Sequence, residues 1–407
     1  RRENVEDILA LDSAQAAMLV HSLARRQDDP GLIQVLFRIA GALDDAAMEA
    51  AWNDALVRHD ALRLTVQMPK GKQPMFVLGR TAHLRIAEVA TAEGETREER
   101  LSRVMAEDRA RGLDLSACPA MRVTCLKLGP EDRQYVWTCH HLFLDGWSAS
   151  IVLRDVLTAY AARRGGKAPD WPTLPRLRDH AAAASAAAGS AAETAWHDLL
   201  SGAPRSPASG ALRAADPGAP RRVDLAIPDG LGARLAAAAR ARRSTPAALI
   251  GAAWSVLLAA LCGRDDVVFC KTTSGRGLAL DGIDHMAGSL SRAVPVRARM
   301  TADQSLGDAV QALHRQGFAM QPHEFLPFDR IVAPGGDAAF DTLLVIQNHP
   351  WDDITLDLDG GVRLYDCRSE ITSAFPLTLV VEPGEALKIS AVSDGSLDPD
   401  LVADWVG

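Results

Sequence analysis

Cys139-His140-His141-Leu142-Phe143-Leu144-Asp145-Gly146-Trp147-Ser148 is the stretch on which the reading of this 407-residue chain turns. The run before it, Gln134 to Cys139, is aromatic and β-branched with partial alternation, the pattern of a strand entering a core. The run after it carries Leu153, Val156, Leu157 and Tyr160 at helical spacing, with Ser148 or Ser150 as the capping hydroxyl. The motif therefore sits on a strand-to-helix connection, where side chains are held rigidly and can face a cleft. Neighbouring residues on a strand point to opposite faces, so one of His140 and His141 faces the cleft and the other serves structure. Imidazole titrates near neutral pH and can take a proton from an attacking nucleophile. Asp145 either orients an imidazole or pairs with a buried arginine that fixes the loop, and the motif leaves both open. Gly146 is expected to admit a backbone conformation that a side chain would resist, or a close approach of substrate.

The rest of the chain narrows the class. A hydrophobic content of 48% supports a large core, in one big domain or two of ordinary size. A net charge of -8 without basic runs argues against nucleic acid as a partner. No apolar run reaches the roughly 18 residues of a transmembrane helix, so no membrane association is expected, and the first residues lack an apolar signal region. Cys118, Cys125, Cys139, Cys262, Cys270 and Cys367 show no paired metal-type spacing; they read as reduced core residues of a cytoplasmic protein, with no metal. Near the start, Ser13 is read as the cap of a helix running past Leu23; a strand follows over Gln34 to Ile39, then a helix from Asp45 with Met48, Trp52 and Leu56 on one face. His59, taken alone, reads as a surface or capping residue. Pro-rich Ala168 to Pro175, the alanine-rich, helix-like Arg178 to Leu200 and turn-forming Gly202 to Gly210 together read as an interdomain linker. In the second half Thr245-Pro246 caps a helix that runs to Cys262 with Leu249, Trp254, Leu257 and Leu258 inward, and strands are expected over Leu377 to Val381 and Leu387 to Val392.

His-His-x-x-x-Asp-Gly followed by Trp147-Ser148 resembles the signature of the condensation domains of nonribosomal peptide synthetases. The shorter His-x-x-x-Asp-Gly is shared with chloramphenicol acetyltransferase and wax ester synthases, so the flanks carry the distinction. Val5 to Leu23 is similar to the family's opening motif, Arg58 to Val66 to its Arg-His-Glu-x-Leu-Arg motif, and Leu113 to Arg122 to its Phe-Asp-Leu-Ser turn. Asp265 to Phe269 leading to Ser274-Gly275-Arg276, Met286 to Arg297, His323 to Asp329 and Phe340 to Asn348 resemble further family segments in the family's order. Three departures stand out. Leu177 to Ala182 keeps only Asp179 and one alanine of an aromatic motif, Cys270 replaces a usual glycine, and Arg292-Ala293 replaces a usual Asn-Thr.

The resemblance implies an α/β (α+β) fold of two chloramphenicol-acetyltransferase-like lobes in a V with a central tunnel. On that reading residues 1-165 form the lobe carrying the motif, 166-222 the linker and 223-407 the C-terminal lobe. It implies that an acyl or peptidyl thioester on one carrier protein's phosphopantetheine arm meets an acceptor amine, carrier-bound or free, with no cofactor resident in a monomeric protein. His141 is expected to accept a hydrogen bond from the nucleophile, the Gly146 N–H to donate to the developing oxyanion, and His140 and Asp145 to serve architecture. An arginine entering a core needs a carboxylate, and both Arg276 and Arg63 qualify as partner of Asp145, with Arg276 preferred. Trp147 and Asn348 are channel candidates. Alternatives are an ester-forming variant acting on a hydroxyl, an epimerization domain, which usually continues Val-Ser-Trp-Arg, and a noncatalytic recruitment domain, which usually breaks the motif.

Overall fold

The computed structural model describes residues 4–25, 29–89, 94–204, 209–214, 218, 221–301, 303–332, 341–347, 357–358, 362–370, 375–384 and 386–406. In chain order the elements are β1 (Val5–Ala10), α1 (Ser13–Ala24), β2 (Leu32–Ala40), α2 (Asp45–Arg58), β3 (Leu64–Gln67), β4 (Met75–Gly79), β5 (Ile86–Val89), α3 (Arg97–Arg111), β6 (Arg122–Gly129), β7 (Asp132–His140), α4 (Gly146–Arg164), α5 (Leu177–Ala187) and α6 (Ser190–Leu200). There follow α7 (Ser209–Leu212), β8 (Arg221–Asp224), α8 (Leu231–Ala241), α9 (Pro246–Cys262), β9 (Asp266–Thr273), β10 (Arg292–Arg299), α10 (Leu306–Met320), α11 (Phe328–Ile331), β11 (Thr342–Ile346), β12 (Asp357–Leu358), β13 (Val362–Glu370), β14 (Leu377–Glu382), β15 (Lys388–Ser393) and α12 (Pro399–Val406).

Two compact units divide the chain, and the division is not the expected one. Unit 1 comprises Arg1–Ala181, Ala279–Leu290 and His349–Ile371; unit 2 comprises Ala182–Leu278, Ser291–Asn348 and Thr372–Gly407. The second half of the sequence is therefore not one continuous lobe: β13 leaves it to pair antiparallel with β2, and residues 279–290 leave it to pack beside the motif. Much of the expected linker is helical, as α5 and α6. Asn348 and Phe340 lie outside the described residues.

Unit 1 is built on a six-stranded sheet in the order β12-β13-β2-β7-β6-β5, antiparallel except for the β5–β6 pair, with a three-stranded sheet β1-β4-β3 beside it. Its core joins the inward faces of β2 and β7 to α2 and α4. Met48, Trp52 and Leu56 lie on the buried face of α2, as their spacing predicts, and Trp52 packs edge-on against Trp137 with ring centroids 5.1 Å apart. Phe37 stacks on Tyr135 across the strand pair at 4.9 Å. Unit 2 has its own six-stranded sheet, β10-β9-β11-β14-β15-β8, and its own core. The Thr245-Pro246 start of α9 is realised, with Thr245 Oγ1 accepting from the Ala248 N–H at 3.1 Å.

Two helix starts differ from expectation by one to five residues, for one reason: a carboxylate outcompetes a hydroxyl as the first acceptor. Asp12, not Ser13, caps α1 and completes a reciprocal capping box with Gln15. Asp145, not Ser148 or Ser150, caps α4. His59 does cap the C-terminus of α2, but it is buried rather than on the surface, with Nε2 3.0 Å from Asp155 Oδ2. Burial pushes its imidazole below the ordinary histidine value. Replacing Trp52 by Ala removes the largest side chain between α2 and the sheet; unit 1 is expected to lose about 3–5 kcal/mol, read as a lower urea midpoint with an unchanged slope.

Candidate active site

The site is set by where β7 ends. Its pairing with β2 runs as far as Leu32 opposite His140, and the next residue, His141, donates its backbone N–H to the Gly31 carbonyl at 2.7 Å. Beyond that the chain turns, and α4 begins at Gly146. The two histidines thus occupy adjacent positions in different surroundings, His140 fully buried and His141 partly exposed.

His140 is committed on both ring nitrogens. Nδ1 accepts from the Leu142 N–H at 3.0 Å, so the ring proton resides on Nε2, which faces Asp29 Oδ2 and Ser22 Oγ, each at 3.1 Å. Ser, His and Asp meet here, yet both oxygens address the same nitrogen, so no relay from hydroxyl through imidazole to carboxylate exists. Although burial raises it, the hydrogen bond from His140 prevails in holding the Asp29 carboxyl below its ordinary range. Gly31 makes room for this ring: a Cβ there would lie 2.4 Å from His140 Cε1 and 2.6 Å from Nε2.

His141 is the uncommitted one. Its Nδ1 is buried and makes no hydrogen bond among the described residues. Burial lowers its pKa, opposed first by the residue's own backbone and then by the nearby Asp145 carboxylate, so the ring is neutral at pH 7 and able to accept a proton.

Asp145 is a knot. Its Oδ1 accepts from the Ser148 N–H at 2.7 Å and from Ser148 Oγ at 2.6 Å, while Oδ2 accepts from the Leu290 N–H at 3.1 Å. The Asp145 N–H donates to the Gly288 carbonyl at 3.1 Å, and Ser148 Oγ lies 2.7 Å from that carbonyl and 2.9 Å from the Gly288 nitrogen. One buried carboxylate therefore starts α4 and fastens residues 288–290 to it. A Cβ at Gly288 would meet Leu290 Cδ2 at 2.8 Å, so the leucine would have to move aside.

The two proposed arginines fare differently. Arg63 does not serve Asp145; its Nη1 donates to the Leu56 and Val57 carbonyls at 2.7 Å each, its Nε to the Gly79 carbonyl at 2.9 Å, and its Nη2 to Asp60 and Glu6 at 3.0 and 3.3 Å. The physical reason is position: Arg63 ends the turn after α2 and satisfies that helix's terminal carbonyls. Arg276 belongs to unit 2, where its Nη1 donates to the Ser274 carbonyl at 2.9 Å. Gly146 is the first residue of α4 and has no positive φ, so its use is not conformational; its N–H is a first-turn donor that the helix itself cannot satisfy. Trp147 follows it in the first turn, its carbonyl accepting from Ser150 Oγ.

Asp29, Gly31 and Ser22 were not singled out by sequence reasoning, because nothing local connects them to a histidine more than 100 residues later. The Asp29-Pro30-Gly31 turn and the place of Ser22 in the opening motif were the available signals. Gly31→Ala is expected to displace the His140 ring and lower stability by about 1–3 kcal/mol, measured as a shift of the urea unfolding midpoint.

A family model described as condensation domain matches residues 5–393. A linear gramicidin synthase from Brevibacillus parabrevis is 28% identical over 398 residues, a match covering 95% of this chain and 5% of that protein. The chain thus corresponds to a small part of that relative's length. Among solved structures, the first condensation domain of the CDA synthetase superposes with a TM-score of 0.80 at 18% identity, covering 98% of this chain and 94% of the other. The starter condensation domain of rhizomide synthetase gives 0.79 at 20% identity, with coverages of 98% and 94%. These likenesses share the α+β fold. With the motifs in place along nearly its whole length, the chain belongs to the condensation-domain family, acyl and peptidyl transferases that form amide bonds in nonribosomal peptide synthesis.

Proposed function

We propose that this chain joins an acyl or peptidyl thioester, carried on the phosphopantetheine arm of a donor carrier protein, to the amine of an acceptor, with His141 as the acting side chain. The observation that carries this reading is the contrast within one dipeptide: His140 is bound on both ring nitrogens, whereas His141 is neutral and partly exposed, and its Nδ1 makes no side-chain hydrogen bond among the described residues.

The amine nitrogen attacks the thioester carbonyl carbon, forming the C–N bond. The C–S bond then breaks, and the thiolate leaves on the donor arm. The proton lost by the amine passes to that thiolate, and His141 is the group suited to hold it in transit, because its neutral ring accepts at neutral pH. A free amine is already nucleophilic, so placing both substrates contributes much of the rate. The Gly146 N–H, at the positive end of α4, is the proposed donor to the developing oxyanion, worth on the order of 3 kcal/mol in that role. Asp145 keeps this N–H in place by fixing the first turn, and touches neither substrate.

Intact-protein mass spectrometry of an acyl-loaded donor carrier with a panel of amine and hydroxyl acceptors, free and carrier-bound, tests the reading. Transfer to an amine that falls at least about 10²-fold in His141→Ala is the expected result. Equal transfer by the variant, or none to any acceptor, refutes it; transfer to hydroxyls alone makes the product an ester. Because the pKa of His141 lies below the ordinary histidine value of about 6.5, the rate, once divided by the neutral fraction of the acceptor amine, is expected to hold from pH 8 down through that value. An acid limb above it would contradict a neutral, desolvated His141.

A further inference from the structure

Unit 2 contains a cavity of about 340 Å³ whose walls include Phe269, Lys271, Val294, Val296, Leu313 and Glu324. The strand period puts Phe269 and Lys271 of β9 on one face, and the β9–β10 register sets Val296 opposite Phe269 and Val294 opposite Lys271. Lys271 is register-paired on its other side with Leu344 of β11, so it sits on an interior strand, where a lysine is unusual. Glu324 follows the turn Gln321–His323 that ends α10, and it is 5% exposed. Gly277 leaves space for its carboxylate: a Cβ there would lie 3.2 Å from Glu324 Oε1.

Lys271 and Glu324 are close enough to influence each other, yet among the described residues they close no ion pair. Burial pushes the Lys271 ammonium down and the Glu324 carboxyl up, outweighing the opposing influence of each on the other and of Arg292 on Glu324. Thr273 lies near enough to Glu324 to oppose that rise in part, although its buried hydroxyl makes no hydrogen bond of ordinary geometry. A fold that only needed stability would close this pair or replace it with apolar side chains. Instead both side chains line one opening of ligand size. A simple anion placed there meets the carboxylate, a simple cation meets the ammonium, and a neutral apolar molecule leaves both charges unsatisfied. A molecule carrying both signs on an apolar body answers all three constraints.

We propose that this cavity binds a free α-amino acid with an apolar side chain, its carboxylate on Lys271 and its ammonium on Glu324. The site stands independently of the acyl-transfer reading, since no carrier-bound substrate enters its test. Isothermal titration of the unmodified protein with L-leucine and L-phenylalanine is expected to show binding. Leucinamide, lacking the carboxylate, and N-acetyl-L-leucine, lacking the ammonium, are each expected to bind at least about tenfold more weakly, as are the zwitterions to Lys271→Met and Glu324→Gln. No heat from either zwitterion at millimolar concentration overturns the proposal. So does equal affinity for the two derivatives, or undiminished affinity in both variants. If a variant does not fold, the ligand series on the unmodified protein decides.

Discussion

The structure around the motif depends on the desolvation of one carboxylate. Asp145 is 1% exposed, and a buried charge of that kind is tolerated only where donors surround it. Two backbone N–H groups and a hydroxyl are among those donors, and hydrogen bonds to a charged group contribute roughly 1.5–3 kcal/mol each. The requirement decides geometry as well as stability. One donor belongs to the first turn of α4, another to residues 288–290, so satisfying the carboxylate fixes the start of a helix and draws a segment 140 residues away against it.

His140 obeys the same logic on the opposite side of the connection. A buried imidazole has two nitrogens to satisfy, and the Leu142 N–H and the Asp29 carboxylate do so only because Gly31 leaves space for the ring. Together, Asp145 and His140 hold the turn between β7 and α4 from both ends. His141 lies between them with its backbone tied to Gly31, its Nδ1 without a hydrogen bond among the described residues, and its pKa lowered by burial. Rigidity and availability coexist because different atoms supply them.

The same principle makes the cavity of unit 2 conspicuous. Elsewhere in that unit a buried charge is matched: Arg297 meets both oxygens of Asp266 and the carbonyls of Leu199, Ser201 and Gly202. Lys271 and Glu324 are not matched in this way, and the two sit where β9, β10 and α10 leave open volume.

What the sequence determined by itself was whatever has a short range. Period-two and helical spacing placed β7, α2 and α9, Thr245-Pro246 marked the start of α9, and the crowded decapeptide from Cys139 to Ser148 located the site on a strand-to-helix connection. The order of family motifs, legible without a structure, pointed to the fold and the chemistry. Tertiary structure alone decided which histidine is free, that Asp145 is bound by Ser148 and Leu290, that Arg63 serves α2, and that β13 and residues 279–290 return to unit 1. The pairings that lock the motif to the rest of its unit join residues more than 100 positions apart, such as Ser22 with His140 and Ser148 with Gly288. Such pairings leave no local periodicity to read, because each partner is an ordinary residue until burial obliges it to find the other.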